Sequence, residues 1–170
     1  MREDHLRFLV CPSCGLDLRL SDVREKNGTH IAAGTLRCDA CPADYDIVRH
    51  VPRFVLRENY ASGFGLEWTR HARTQYDSTS GTRISEQRFF DETGWARDLA
   101  GETILEVGSG SGRFTEQAAS TQAMVVLMDY SYAVDANFAS NGHRDNVLIV
   151  QGDLYRMPFR RQAFDKLFCF

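Results

Sequence analysis

Thr103-Ile104-Leu105-Glu106-Val107-Gly108-Ser109-Gly110-Ser111-Gly112-Arg113 is a short apolar run that breaks into three alternating glycines. Residues 103–107 are too few for a helix and read as a buried strand, and Arg113 to Ala119 reads as a helix. Strand, glycine loop, helix is the order a nucleotide site needs: glycines let the loop turn sharply and let a ligand approach the backbone, and the helix start offers unpaired N–H groups. The spacing narrows the choice. A dinucleotide fingerprint begun at Gly108 calls for glycine or alanine at position 113, where this chain has Arg113, which disfavours hydride transfer. No Gly-Lys-Ser/Thr follows, so a phosphate-binding P-loop is excluded.

Toward the C-terminus, Met124 to Met128 reads as a second buried strand, ending at Asp129. Asp129 lies about 20 residues past the first glycine, where folds of this kind place the acid that binds ribose hydroxyls. Val147 to Gln151 reads as a third strand, followed by Gly152-Asp153-Leu154, and Lys166 to Phe170 as a fourth. Each aspartate taken singly is equally open to a turn-capping role. Acids at three successive strand ends, with a glycine loop at the first, argue against coincidence.

The pattern Glu106-x-Gly108-x-Gly110-x-Gly112, with Asp129, Asp153, Met157-Pro158-Phe159 and Phe164-Asp165 following in order, resembles class I S-adenosylmethionine-dependent methyltransferases of the type 11-like group. The resemblance covers residues 100–170 and extends loosely back to about 58. It implies an α/β, Rossmann-like sheet of which strands one to four are present, and S-adenosylmethionine as cofactor. By the same resemblance Glu106 would hold the methionine amino group, the backbone of Gly108, Ser109, Gly110 and Gly112 would approach the cofactor, Asp129 would bind ribose and Asp153 the adenine amino group. Tyr130 and Leu154 complete the implied cofactor-binding set. No catalytic base is named, because in that family acceptor contacts tend to follow strand four.

Four of the five cysteines form two CxxC pairs, Cys11/Cys14 and Cys38/Cys41, with 23 residues between them. Two such knuckles complete the tetrahedron that Zn²⁺ prefers, and four thiolates leave no open position for water, so the expected site is structural. Two disulfides or four unrelated buried thiols are the weaker alternatives in a reducing compartment. Leu16, Leu18 and Leu20 alternate before Asn27-Gly28, and Ile31 and Leu36 follow, which predicts a hairpin between the knuckles. Cys169 stands alone in an apolar run and reads as a core residue. The run Phe8 to Cys14, with Leu36-Arg37-Cys38, Tyr45 to Val48 and Val51-Pro52-Arg53-Phe54, resembles the small zinc-ribbon family that activates tRNA and translation-factor methyltransferases. It departs from that family at Pro42 and His50, where glycine is common. That resemblance implies a zinc ribbon and suggests RNA or protein as the methyl acceptor; related ribbons also occur on small-molecule methyltransferases.

The expected organisation is a ribbon over 1–57, a helical bridging segment over 58–99 and a partial methyltransferase domain over 100–170. In the bridge, Ser85-Glu86 resembles a helix start and Gly94 an end. The aromatics Tyr60, Phe64, Trp68, Tyr76, Phe89, Phe90 and Trp95 either cover the pocket or pack the two domains together. Arg83 and Arg88 read as solvated charges, with a cofactor carboxylate as the other option.

A formal charge of -3 over 170 residues, with nine Lys/Arg against eight Asp/Glu in residues 1–57, excludes a general basic footprint for nucleic acid. No membrane-spanning stretch and no export signal are read, so a cytoplasmic location is expected. The reading is a methyltransferase with an unidentified acceptor; a non-catalytic ribbon module beside a remnant fold is the alternative. Ending at strand four, the chain is expected to be a fragment, inactive alone and prone to self-association through the open edge of that strand.

Overall fold

The computed structural model describes residues 1–55 and 76–170. A 3-10 helix (Glu3–Phe8) leads into the first cysteine pair and then into an antiparallel meander, β1 (Leu18–Asn27), β2 (His30–Cys38), β3 (Asp44–Val48) and β4 (Val51–Pro52), in that spatial order. The predicted hairpin is present: Asn27 pairs with His30 across Gly28, which sits at a left-handed φ of 60°. Leu16 falls before the strand and is exposed rather than part of the alternating face.

After α1 (Asp77–Ser80) and α2 (Ile84–Thr93) come β5 (Thr103–Val107), α3 (Arg113–Ser120), β6 (Met124–Asp129), α4 (Ala133–Asn141), β7 (Val147–Gln151) and β8 (Lys166–Phe168). These last four strands are parallel, in the order β7-β6-β5-β8. Apolar residues on both faces are what a parallel sheet covered on both sides requires. The final strand is shorter than the expected Lys166 to Phe170, and Cys169 lies exposed beyond it, so its reading as a core residue is corrected. The second helix starts at Ile84, and its cap is distant in sequence: the Asp77 carboxylate accepts the N–H groups of Ser85 at 3.0 Å and Glu86 at 2.8 Å. Ser85, expected as the start signal, is instead buried within the first turn.

The period-2 alternation of the parallel strands divides the interior in two. Ile104, Val125, Leu127 and Ile149 face Phe89, Ala118 and Val134 from the helices. Leu105, Val107, Val126, Met128, Leu148 and Val150 face the opposite way, and there their partners are Phe8, Leu9, Leu18, Ile31, Leu36 and Ile47 of the N-terminal unit. The cysteine-bearing sheet therefore shares a core with one face of the parallel sheet. Main-chain bonds sew the two together: Val10 N–H donates to Pro158 O at 2.9 Å, Arg160 N–H to Phe8 O at 3.0 Å and Phe54 N–H to Gln151 O at 2.8 Å. The last of these occupies the outer edge of β7, which would otherwise present unpaired backbone groups.

Of the bridging aromatics, Tyr60, Phe64 and Trp68 lie outside the described residues. Phe89 is buried edge-on against Phe168 and Trp95. No helix among the described residues is long and apolar enough to cross a membrane.

Candidate functional site

All three loop glycines adopt left-handed backbone angles, with φ 72° at Gly108, 50° at Gly110 and 98° at Gly112. The loop wraps the end of β6. Gly108 and Ser109 N–H donate to Met128 O at 2.8 and 3.1 Å, and Gly110 N–H donates to the Asp129 carboxylate at 2.8 Å. Asp129 also accepts from the backbone N–H and hydroxyl of Ser131, at 2.8 and 2.7 Å. It thus joins the glycine loop to the turn after β6 while staying partly open to solvent.

Asp129 lies beside Gln151 in the ladder, and Gly152 N–H donates to Asp129 O at 3.0 Å, so Asp129 and Asp153 emerge at one edge of the sheet. That edge, outside the carboxyl ends of parallel strands, is where ligands bind in open α/β sheets. The Asp153 side chain accepts Tyr155 N–H at 2.9 Å in a tight turn, and Leu154 is exposed next to it. Tyr130 follows Asp129 and its carbonyl accepts from Gln151 Nε2 at 2.9 Å.

Beneath the loop runs a buried polar chain. Thr115 donates to Glu106 at 2.5 Å, Asn137 to Thr115 at 3.1 Å, Asn141 to Asn137 at 3.0 Å and to Tyr76 at 3.0 Å, and Tyr76 to Ser111 O at 2.5 Å. Each acceptor is matched with a donor, as burial requires. Only Glu106 had been singled out by motif spacing; Thr115, Asn137 and Asn141 are polar positions on the inner faces of helices, and no local pattern marks them. Tyr76 proves to support the glycine loop from below. Arg83, just before α2, pairs with Glu86 at 2.7 Å, and Arg88 pairs with Glu92 at 2.7 Å on the surface of that helix.

Two features at and beneath the loop fit the polar groups of an amino acid sulfonium. Ser109 Oγ is buried with no partner, and among the described residues Glu106 has no cationic neighbour. Burial pushes the Glu106 carboxyl up from 4.5 to about 8; the Thr115 hydrogen bond opposes this and the Asp129 charge adds to it. The folded chain therefore holds a proton there that the unfolded chain releases above about pH 4.5. Stability conferred by Glu106 then declines as pH rises from about 4.5 toward 8, since over that window the native state binds more protons. Glu106→Gln is expected to remove this slope, so the melting difference between variant and wild type should grow in favour of the variant from pH 5 to pH 8. A difference that stays flat would show Glu106 to be ionised in the fold.

The second cluster is formed by Cys11, Cys14, Cys38 and Cys41, whose sulfurs all lie within 4.8 Å of one another. Contacts of 3.5 Å (Cys14/Cys38), 3.6 Å (Cys11/Cys41) and 3.7 Å (Cys14/Cys41) are far longer than a disulfide bond. They are close to the edge of about 3.8 Å that a tetrahedron with metal–sulfur bonds near 2.3 Å would have. Burial raises the Cys11 thiol, but hydrogen bonds from Tyr45 and from the Ser13 and Cys14 backbone outweigh it and bring it down to about 6. Cys41 is pushed up to about 12, first by its hydrogen bond with Cys38.

Residues 105–170 match the family model described as a methyltransferase domain. Over 69 residues the chain is 32% identical to demethylmenaquinone methyltransferase of Thermobifida fusca (strain YX), covering 39% of this chain and 29% of that protein. Over 73 residues it is 34% identical to phosphoethanolamine N-methyltransferase 3 of Arabidopsis thaliana, covering 41% of this chain and 15% of that protein. A TehB-like SAM-dependent methyltransferase from Corynebacterium glutamicum ATCC 13032 aligns with a TM-score of 0.47 and 20% identity over 64% of this chain and 55% of that one. The chain spans less than a third of the length of the curated relatives it matches. The stretch that builds the glycine loop and carries both strand-end aspartates is the stretch that is similar to class I methyltransferases.

Proposed function

We propose that this chain is the cofactor-binding part of an S-adenosylmethionine-dependent methyltransferase, with one structural Zn²⁺ held by Cys11, Cys14, Cys38 and Cys41. The observation that carries the first half is the left-handed glycine loop bonded through Gly110 N–H to Asp129 and lined by the unpartnered Ser109 hydroxyl. When bound, the cofactor would supply a methyl group on a sulfonium, which passes to a nucleophile while sulfur keeps the bonding electron pair. The residues of this chain bind and orient. Asp129 accepts from ribose hydroxyls, Asp153 accepts from the adenine amino group, the Ser109 hydroxyl donates to the carboxylate, and Glu106, once ionised, faces the ammonium. Gly108, Gly110, Gly112, Tyr130 and Leu154 form the walls. Alignment in a water-poor pocket is the main source of rate in such a displacement.

The acceptor is RNA, a protein or a small molecule, and contacts to it are proposed to lie outside these residues. Calorimetric titration with S-adenosylhomocysteine tests the reading. Wild type is expected to bind, and Asp129→Ala to bind roughly 10–100-fold more weakly, the equivalent of losing buried hydrogen bonds worth about 1–3 kcal/mol. Equal affinity in both would remove Asp129 from the site, and no binding by wild type would favour a remnant fold that serves only as a docking module.

A further inference from the structure

Gln151 is the last residue of β7, 2% exposed, two positions before Asp153 and paired in the ladder with Asp129. Both ends of its carboxamide are committed. Nε2 donates to Tyr130 O at 2.9 Å, and Oε1 accepts from Arg53 Nη1 at 3.0 Å. Arg53 belongs to the other sheet, one residue past β4. Its guanidinium, 9% exposed, also donates to Asp135 in the first turn of α4 at 2.5 Å and to Val48 O at 3.2 Å. One side chain of the N-terminal unit therefore reaches the strand that leads to Asp153, the helix that follows β6 and, through Gln151, the residue after Asp129.

The hairpin that delivers Arg53 is built at a cost. Its turn residues, Arg49 and His50, are left-handed with φ 49° and 71°, angles normally left to glycine or asparagine. Such strain persists where surrounding contacts over-determine it. Here they do: Arg49 pairs with Asp135 at 3.3 Å, and the His50 ring stacks on Phe138 of α4 with centroids 4.7 Å apart and planes 6° from parallel.

Building on the cofactor reading above, we infer that Arg53 is a positioning residue of the cofactor site, acting through Gln151 to hold the loops after β6 and β7 at the spacing that lets Asp129 and Asp153 engage one ligand. The ladder between β6 and β7 ends at Asp129 and Gln151, with Gly152 N–H to Asp129 O as a last rung. Beyond that rung, the Gln151 amide is the staple between the two loops, and Arg53 fixes which way the amide points. A planar guanidinium serves three acceptors in fixed directions, and a lysine ammonium does not. Without Arg53, the buried Gln151 oxygen loses its donor and the amide is free to turn away from Tyr130.

The test uses the full chain, S-adenosylhomocysteine as probe, and amide hydrogen exchange without ligand. Arg53→Ala and Gln151→Ala are each expected to weaken binding by roughly tenfold or more, and the double variant to bind no worse than Gln151→Ala alone, as for two residues in one linkage. Gly152 N–H should exchange faster in Arg53→Ala than in wild type. Arg53→Lys should also bind more weakly while keeping a charge for Asp135, and it carries the comparison if Arg53→Ala does not fold. Glu92→Ala, which removes an exposed charge of α2 outside this linkage, should bind like wild type. Full affinity in Arg53→Lys and Arg53→Ala, with only the melting temperature lowered, would overturn the inference and leave Arg53 a purely structural residue. Further weakening by Arg53→Ala in the Gln151→Ala background would overturn the route through Gln151. Wild type that does not bind the probe would overturn the cofactor reading and this inference together.

Discussion

Protein purified without added metal is expected to carry about one equivalent of zinc, and Cys38→Ser is expected to lose the zinc and with it part of the meander's stability. Cys38 ends β2, is 3% exposed and lies in the core that joins the two sheets. Its loss removes a ligand and places a hydroxyl where an apolar sulfur had packed. In isolated zinc peptides the apparent metal free energy is about 10–16 kcal/mol and is nearly all of the folding energy. Here the meander also packs on Leu105, Val126 and Leu148, so part of its stability survives metal loss and the net penalty is smaller. Even about 4 kcal/mol would lower the melting midpoint by roughly 8–16 °C in a chain of this size. Metal analysis and melting with and without chelator decide the matter: unchanged melting in chelator would reject a structural metal. Cys169→Ser, outside the cluster, should leave the zinc content untouched.

Gly112→Ala is expected to destabilise the chain by about 2–6 kcal/mol and to abolish measurable S-adenosylhomocysteine binding, combining a left-handed backbone with overpacking. Gly112 has φ 98°, and a Cβ there would run into the side chains of Asn137 and Asn141. Those amides belong to the chain that ends on Glu106 and Tyr76, so displacing them unseats several buried hydrogen bonds at once. Gly110→Ala is the informative contrast. At Gly110 φ is 50° and no atom lies within 4 Å of the added carbon. That variant should lose only the conformational cost, about 1–3 kcal/mol, in urea unfolding. Equal losses in the two variants would show that the Asn137 and Asn141 contacts carry no weight.

Most of the local structure was legible because it is written in short-range terms. Apolar runs of five or six residues bounded by glycines and acids gave β5, β6 and β7 with their ends, and alternating glycines marked the sharply turning loop between β5 and α3, whose left-handed angles the structure supplies. Two CxxC pairs predicted a four-sulfur cluster, and the sulfurs converge. The start of α2 was placed near Ser85, but its cap could not be read, because Asp77 reaches it from eight residues away across an intervening turn. The shortened β8 and exposed Cys169 were missed for another reason: an apolar run shows that residues favour burial, not whether a neighbour is present to bury them.

By itself, the amino-acid sequence determined the runs that become β5, β6 and β7, the glycine loop, the two strand-end aspartates and the paired cysteines, since each depends on residues within a few positions of one another. Tertiary structure alone decided that the N-terminal sheet shares a core with the parallel sheet, that Tyr76, Asn141, Asn137 and Thr115 form one chain with Glu106, and that Arg53 meets Gln151 across 98 positions. Those contacts join helix faces and strand edges far apart in the chain. Any polar residue in such a position looks alike in sequence, and it acquires a partner only when burial makes an unpaired donor or acceptor too costly to leave.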